Sequence, residues 1–337
     1  IQTQTILDRL QNFTKKYGFK RRTELTQINL NLSNEEKKIA AITPEKCVVV
    51  LTESGNIKRI SATSFRAQRR AGKGIKTQDD ITSMVLRTNT IDSLMIFTNQ
   101  GNMYRLIVDD IPEGTNTTKG TPVRALVPMN INEKPNLIYS IYKDTDAKYI
   151  IFVTKQGYVK RTSLDEYTGI KKKAGIKALN LHEEDSIAAV FLANDEQILI
   201  LSKDGYVIRC KGTEFPASGR VSMGYKGINL KDNDEVITSL PIRNPDDSLA
   251  LFSKNGMGRK IKLNNFVTQT RNGRGVIYAK DEKTAAACLV TDGDLILVCG
   301  DKSSLCIKAE ELPEVTTKYA QGNIIIKGNT ITGVSKV

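Results

Sequence analysis

The sequence has 337 residues, and its 50 lysines and arginines against 37 aspartates and glutamates give a formal net charge of +13. A positive field of this size favours a polyanionic partner or an anionic membrane surface. No apolar run approaches the roughly 20 residues that a membrane-spanning helix needs, and no N-terminal segment has the pattern of a signal peptide. We therefore expect a cytoplasmic protein that binds a polyanion and does not enter a membrane.

The first 40 residues differ from the rest of the chain. Apolar residues at helical spacing, followed by a helix-ending glycine, are Ile6, Leu10, Phe13, Tyr17 and Gly18. Residues 19–40 are polar and mixed in charge, which is typical of a linker. Because the chain begins with Ile1 and not methionine, we interpret residues 1–40 as a helix and linker that follow a preceding core domain. Alternatively, the helix packs on the domain that follows it.

From residue 41 onward, an apolar run, a turn and a basic residue four positions past the turn glycine recur six times. The copies read VVVLTESGNIKR, LMIFTNQGNMYR, IIFVTKQGYVKR, LILSKDGYVIR, LALFSKNGMGRK and LVCGDKSSLCIK. Their turns fall at residues 55, 101, 157, 205, 256 and 304, with Ser304 in place of glycine, so the spacing is 46 to 56 residues. A second glycine follows 18 to 22 residues after each turn, at positions 74, 120, 175, 227, 275 and 322.

The repeat predicts an all-β fold. The runs have strand length and are rich in Val, Ile, Leu and Phe, and turns such as Lys203-Asp204-Gly205 suit tight hairpins. A period near 50 residues with about four strands per unit is typical of blades arranged around an axis. Residues 41–337 are therefore predicted to form a six-repeat, propeller-like closed disc, since closure removes exposed sheet edges. A linear β-solenoid is the structural alternative.

The cysteines and the histidine do not indicate a metal or catalytic site. The cysteines lie mostly in apolar runs without a CxxC pair, which favours reduced, buried thiols in a cytosolic protein; they are Cys47, Cys210, Cys288, Cys299 and Cys306. The single histidine, His182, lies in a polar loop without a partner constellation. We expect no metal ion at these residues and no catalytic base at His182.

Positive charge is concentrated in certain repeats. Residues 58–76 contain seven basic residues and residues 256–280 contain six, with no acidic residue in either segment. Because basic residues occupy equivalent positions in successive repeats, a ring would bring them to similar heights on its rim. Such a curved track suits a DNA duplex that is bent by phosphate contacts without base readout. Bending 20–30 bp costs on the order of several kcal/mol, so many contacts are needed.

The heptad Gln68-Arg69-Arg70-Ala71-Gly72-Lys73-Gly74 resembles the gyrase A box, Q-R-R-G-G-[RK]-G, with Ala71 in place of the usual glycine. The segments Lys15–Gly18, Arg21–Glu24 and Tyr158–Leu164 are also similar to the C-terminal domain of gyrase A proteins. The resemblance extends over essentially the whole chain. It implies a six-bladed β-pinwheel, in which blades exchange strands, and DNA wrapping around the rim.

The resemblance further implies that the chain enables ATP-dependent negative supercoiling in an A2B2 holoenzyme of gyrase A and gyrase B, in the cytoplasm and associated with the nucleoid. The ATP and Mg²⁺ of that enzyme are expected outside this chain, which then needs no cofactor and is expected to catalyse no reaction alone. Within the box, Arg69, Arg70 and Lys73 are expected to contact phosphates, Gln68 to position the loop, and Gly72 and Gly74 to allow close approach. Secondary rim contacts are expected from Arg59, Arg66, Arg161, Lys171, Lys172, Lys173, Arg209, Arg259, Arg271 and Arg274.

Three alternative functions are consistent with a repeat of this kind. The related domain of topoisomerase IV usually has a degraded box and would bind DNA for relaxation and decatenation. A β-propeller scaffold would bind proteins through its faces, with little dependence on salt. A propeller enzyme would need ionisable groups that converge on the axis, and the sequence offers no obvious set.

Overall fold

The computed structural model describes residues 2–18, 34–64, 75–76, 80–142, 145–168, 175–279, 283–316 and 320–336. Residues 1–41 and 42–337 form two separate units. In the first unit, helix α1 (Gln2–Tyr17) covers the predicted helical pattern, and helix α2 (Asn34–Ala40) lies at the end of the segment that we interpreted as linker. None of the helices in these described ranges is long and apolar enough to span a bilayer.

The second unit contains six antiparallel hairpins, one for each sequence repeat. Their strands are β1 (Lys46–Thr52) with β2 (Asn56–Ser61), β5 (Ser93–Thr98) with β6 (Asn102–Ile107), β9 (Tyr149–Thr154) with β10 (Tyr158–Ser163), β13 (Gln197–Ser202) with β14 (Tyr206–Lys211), β17 (Ser248–Ser253) with β18 (Met257–Lys262), and β21 (Leu295–Gly300) with β22 (Ser303–Lys308). Five of the six turns contain a glycine with positive φ, a conformation that residues with a side chain rarely adopt; these glycines are Gly55, Gly101, Gly157, Gly205 and Gly256.

A third strand lines the inside of each hairpin. These inner strands are β4 (Thr82–Asn89), β8 (Pro135–Ile141), β12 (Ile187–Ala193), β16 (Val236–Ile242), β20 (Thr284–Val290) and β24 (Ile331–Lys336). Each packs against the inner strand of the next hairpin, and β24 packs against β4, so the order is cyclic. The described residues therefore form a closed ring, and not a linear solenoid.

The fourth strand of each sheet is short, lies on the outer edge and comes from the following repeat. These exchanged strands are β3 (Ile75–Lys76), β7 (Thr121–Pro122), β11 (Ile176–Lys177), β15 (Tyr225–Lys226), β19 (Val276–Ile277) and β23 (Asn323–Ile324). β7 completes the first sheet, β11 the second, β15 the third, β19 the fourth and β23 the fifth, whereas β3 returns to β22 in the sixth. This exchange confirms the six-bladed pinwheel.

Short helical turns complete the ring. The α-helical turns are α3 (Val123–Leu126) and α4 (Asp165–Thr168), and the 3-10 helices are Ala62–Ser64, Val108–Asp110, Gly212–Glu214, Leu263–Asn265 and Ala309–Glu311. All five of these 3-10 helices, and α4, follow the second strand of a hairpin directly or within one residue, one in each of the six repeats. They turn the chain toward the exchanged strand.

The hydrophobic core lies between neighbouring blades. Phe97 of the second blade and Phe152 of the third, for example, meet edge to face with ring centroids 5.3 Å apart. A cluster that includes Val48, Leu297 and Cys299 joins the sixth blade to the first. All five cysteines are buried and free, as the apolar runs predicted. Because each core needs two blades, no blade buries its apolar faces alone.

Two landmarks of the sequence repeat were wrongly predicted: the second glycine of the fourth repeat and the turn residue of the sixth. In the fourth repeat, the glycine before the exchanged strand is Gly224, with φ of +88°, and not Gly227. In the sixth blade, Ser304 lies within β22, opposite Cys299, and the turn is one residue shorter than in the other blades. The position equivalent to Arg59 is therefore the buried Cys306, while Lys308 lies two residues farther along the strand.

Ring closure depends on the pairing of Ile75 with Ser304 and of Lys76 with Ser303. The equivalent strand in the first blade, Thr121–Pro122, has proline at its second position, so only the first residue can donate a backbone hydrogen bond to the ladder there. We expect Ile75→Pro to lower the free energy of unfolding by roughly 1–3 kcal/mol, since it removes this donor from the closing strand.

Lys76→Pro, which copies the natural Pro122, is the matched control and should lower the free energy of unfolding much less. Hydrogen exchange in β22 and the thermal unfolding temperature measure both variants. Equal effects of the two prolines would contradict this role of the Ile75 amide.

Candidate nucleic-acid interface

The outer edge of the ring is formed by the exchanged strands, and a segment of seven or eight residues precedes each of them in the sequence. We call these segments the rim loops; they are residues 68–74, 114–120, 169–175, 218–224, 269–275 and 315–322. The structure describes loops 114–120, 218–224 and 269–275 completely. The box at residues 68–74, Arg66 and Lys171–Lys173 lie outside the described residues.

The rim loop 269–275 is fastened to the ring by backbone hydrogen bonds. Gln269 donates to the Arg209 carbonyl at 2.7 Å, and Asn272 donates to the Gly227 carbonyl at 2.7 Å. Asn272 and Gly275 both have positive φ, which turns the chain back toward β19. The loop holds Arg271 half-buried, with its guanidinium 5.4 Å from the Tyr225 ring centroid, and leaves Arg274 exposed.

The rim loop 218–224 has the same anchor but different side chains. Ser218 donates to the Arg161 carbonyl at 2.9 Å, as Gln269 does to Arg209 one repeat later. Its single cation is Arg220, whereas Val221 and Met223 are 54% and 41% exposed. This loop therefore offers one phosphate-binding side chain beside an apolar surface.

In four of the six blades, the periodic basic residue that follows the hairpin turn contacts protein groups of the next blade. The Arg161 guanidinium lies 2.6 Å from the Asp195 carboxylate and 3.7 Å from the Tyr149 ring centroid, and Arg161 is only 7% exposed. The Lys260 ammonium contacts the Asp292 carboxylate at 2.8 Å. Both acidic partners lie at the start of the following repeat, so these pairs join consecutive blades.

Arg59 and Arg209 make similar contacts at the same position. Arg59 lies 3.4 Å from the Asp109 carboxylate and donates to the Ile111 carbonyl. Arg209 donates to the Leu263 and Phe266 carbonyls at 2.9 and 3.2 Å.

Arg259 is 6% exposed and donates to the Tyr278 carbonyl at 2.7 Å. The structure thus places Arg59, Arg161, Arg209 and Arg259 in contacts between blades. Their binding to DNA stays a prediction.

Sequence analysis missed two buried lysines, which lie three residues after a hairpin turn. The Lys58 ammonium donates to the carbonyls of Thr115, Asn116 and Thr118 at 3.0, 3.0 and 2.7 Å, so it holds the rim loop 114–120. Burial lowers its pKa. The sequence could have predicted the burial of one of these basic residues, because only one of two adjacent residues in a strand can face outward.

Lys160 is the second of these lysines and is 1% exposed. Its ammonium donates to the Tyr167 hydroxyl and the Ala178 carbonyl, both at 2.8 Å, and to the Arg220 carbonyl. Burial lowers the pKa of Lys160 to about 7. It therefore connects the residues that follow one rim loop to the middle of the next.

The third blade also carries a stack of aromatic and cationic side chains at its outer edge. His182 stacks on Tyr158 with ring centroids 3.9 Å apart, and the Lys226 ammonium lies 4.5 Å from the Tyr158 centroid. Lys226 also donates to the Gln156 carbonyl at 2.8 Å, and burial lowers its pKa. His182 thus packs against a neighbouring ring.

This interface offers cationic and backbone donors on a convex surface. Guanidinium groups bind phosphate through paired hydrogen bonds, and the loop backbones hold them in place. Among the described residues, no group of three or more His, Cys, Asp or Glu side chains could hold a metal ion. The arrangement suits phosphate binding.

Comparison with known proteins gives a consistent family. The family described as "DNA gyrase C-terminal domain, beta-propeller" matches residues 48–82, 92–134, 148–194, 196–243 and 247–285. The DNA gyrase A protein of Metamycoplasma arthritidis is 32% identical over 349 residues, which cover 98% of this chain and 38% of that protein. The chain thus spans well under half the length of this relative.

Two solved structures share the fold. A structure of a DNA gyrase A C-terminal domain has a TM-score of 0.77 and 24% identity, and the match covers 87% of this chain and 99% of that one. A crystal structure of the C-terminal domain of DNA topoisomerase IV has a TM-score of 0.66 and 26% identity, with 88% and 94% coverage.

Proposed function

Because the chain belongs to the DNA gyrase C-terminal domain family, we propose that it binds double-stranded DNA around its outer rim and wraps it without reading the base sequence. The observation that supports this most is the position of the rim loops. Each precedes an exchanged strand on the outer edge of a closed ring, and loops 218–224 and 269–275 place Arg220, Arg271 and Arg274 there.

The sequence of the other rim loops supports the same proposal. Residues 68–74 and 169–175 each contain three lysines or arginines and no acidic residue. Loops that recur around a ring can contact the same duplex at successive helical turns, so each adds phosphate contacts while the duplex bends. Many contacts are needed, because smooth bending of a short duplex costs on the order of several kcal/mol.

In the whole enzyme, we propose that this chain is the C-terminal domain of a gyrase A protein. That protein would form an A2B2 assembly with gyrase B, in the cytoplasm and associated with the nucleoid. Wrapping would present a second segment of the same DNA for strand passage, with ATP and Mg²⁺ bound in other parts of the assembly. On this proposal the chain contributes DNA geometry and no catalytic group.

A topoisomerase IV domain is the second candidate, and its support is the 26% identical structure of that enzyme's C-terminal domain. The two candidates differ in the effect of binding on DNA topology. When a nicked circle is ligated while protein is bound, chiral wrapping changes the linking number of the closed product, whereas binding without wrapping does not. The heptad at residues 68–74 favours wrapping, because six of its seven residues match the gyrase A box.

The purified chain incubated with nicked circular plasmid, which is then ligated and deproteinised, tests the proposal. We expect the linking number to shift in proportion to the amount of protein bound. Binding without a shift would contradict wrapping and favour the topoisomerase IV candidate. Absence of binding at low salt would contradict DNA recognition altogether and favour a protein-binding scaffold.

A further inference from the structure

In the third and fourth blades, the second strand of the hairpin is followed by an acidic residue whose side chain bonds the rim loop of the next repeat. In the third blade this residue is Glu166, which accepts a hydrogen bond from the Arg220 backbone amide at 2.8 Å. In the fourth blade it is Glu214, which accepts one from the Arg271 amide at 2.7 Å. Both carboxylates lie nine residues after the turn glycine, and both bond the third residue of a rim loop.

The same position in the other blades is Ser64, Asp110, Asn265 and Glu311. In the sequence, the charge of the third residue of the corresponding loop correlates with the residue type at this position. Where the position is acidic, that residue is a cation: Lys171 with Asp110, Arg220 with Glu166, Arg271 with Glu214 and Arg70 with Glu311. Where the position after the hairpin is Ser64, the third residue of the loop is Asn116. Where it is Asn265, the third residue is Thr317, counted from Val315 because the last loop is longer.

A rim loop without this carboxylate is held in another way. In loop 114–120, the Lys58 ammonium and the Thr118 hydroxyl bond the loop backbone. The carboxylates therefore accompany the loops whose third residue is cationic, and not every loop of the ring.

We propose that Glu166 and Glu214 are positioning residues for DNA binding, which hold the cationic rim loops in the conformation that receives phosphates. The inference rests on the proposed function. A charge-assisted bond from a backbone amide to a carboxylate is strong and directional, so it fixes the backbone of the loop at its cationic third residue. The loop thus meets the duplex in an ordered state, which lowers the entropic cost of binding.

This role makes a prediction opposite in sign to simple electrostatics. Removal of an acidic side chain beside a phosphate-binding surface should strengthen DNA binding if only charge matters. If Glu214 positions the loop, Glu214→Ala should weaken binding about fivefold, because the loss of one hydrogen bond disorders Arg271 and Arg274. The salt slope should fall by roughly one to two as their phosphate contacts are lost.

Glu214→Gln separates the two effects, since its amide oxygen accepts the same hydrogen bond without charge. We expect this variant to bind at least as tightly as the wild type. Asp232→Ala, at an exposed position outside the rim loops, is the control for removal of one negative charge. Titration of linear duplex at several salt concentrations gives the affinities, and hydrogen exchange at the Arg271 amide reports the bond directly.

Wild-type affinity or tighter binding by Glu214→Ala would overturn the proposal, as would an equal loss in Glu214→Gln. Failure of the wild type to bind duplex would instead refute the proposed function, so the two failures are distinguishable. The pair Glu311→Ala and Glu311→Gln extends the test to the sixth blade, which receives β3 directly after the box in sequence. The same signs are expected there, and opposite signs would overturn the rule.

Discussion

Replacement of Arg69, Arg70 and Lys73 by alanine is expected to flatten the salt dependence of DNA binding. The slope of log K against log salt should become less negative by about 2.7, which is about 0.9 for each of three phosphates. At 0.1 M salt, the affinity should fall on the order of 100-fold, since each lost contact retains counterions on the DNA. The physical reason is that a phosphate neutralised by a protein cation releases its condensed counterions. The expected loss is large because one loop carries all three cations.

A matched control removes the same charge from the other unit of the chain. Arg9, Lys15 and Lys16 lie on α1 and are exposed, so the triple alanine variant at these positions also lowers the net charge by three. If binding depended only on net charge, both variants would lose affinity equally. We expect the control to keep the wild-type slope, and an unchanged slope in the box variant would contradict phosphate contact by the box.

Fluorescence anisotropy with a labelled duplex between 50 and 300 mM salt measures both slopes. The linking-number experiment then separates affinity from wrapping. The box variant should lose the topological shift even at protein concentrations that saturate the DNA. Retention of the full shift at saturation would show that other rim loops impose the wrap.

Five of the six hairpins could be predicted in the correct register from the sequence because two signals coincide in each of these five. The apolar runs are long enough to be buried strands, and turns such as Asp204-Gly205 need positive φ, which glycine supplies. In the fourth repeat, three glycines follow within a few residues, and Gly227 was selected although Gly224 matches the 18- to 19-residue spacing of the other repeats. Only the backbone shows that Gly224 has positive φ, with a Cβ there reaching within 2.5 Å of the Val159 carbonyl oxygen.

Strand exchange could not be derived from the pattern of residues. A two-residue strand such as Tyr225–Lys226 has no periodicity to read, and its partner lies 66 or more residues away in sequence, at Tyr158–Val159. The resemblance to a known family implied the exchange, and the pairings confirm it. Which blade receives β3 depends on the closure of the whole ring.

The candidate interface was predicted in composition but not in the direction of each side chain. Arg161 was predicted as a rim contact, whereas the adjacent Lys160 was not singled out. In the structure both are buried, Lys160 among carbonyls and Arg161 against Asp195. Because alternate residues of a strand face opposite sides, charge counted along the sequence overestimates the charge available to DNA.

The buried Lys160 ammonium predicts an unusual pH dependence of stability. Desolvation is the main reason that the pKa of Lys160 in the folded state falls to about 7; the Glu166 carboxylate opposes this shift and the Arg220 guanidinium adds to it. An unfolded lysine titrates near 10.4. Between these values the unfolded state binds more protons than the folded state, so the free energy of unfolding rises with pH.

The charge of Lys160 in the folded state changes near pH 7, and stability changes with it. Below pH 7 the ammonium is charged in both states, and the full cost of its burial reduces stability. As the pH rises above 7, the folded state releases the proton and this cost diminishes, by at most about 1.4 kcal/mol per pH unit. The buried thiols make the free energy of unfolding fall as the pH rises, because burial raises the pKa of Cys210 and Cys288 to about 12. Their stabilisation is lost as unfolded thiols ionise near pH 8.5 and above.

The comparison of Lys160→Met with the wild type isolates the lysine from the thiols, which both proteins share. Urea unfolding from pH 6.5 to 8.5 should give a free energy of unfolding that rises less steeply, or falls, with pH in the variant. Lys211→Met, at an exposed position of the neighbouring blade, should retain the wild-type slope. Parallel curves for Lys160→Met and the wild type would mean that the three oxygen acceptors around the ammonium keep it charged throughout this range. The lysine would then hold the two rim segments together by charge-assisted hydrogen bonds at every pH tested.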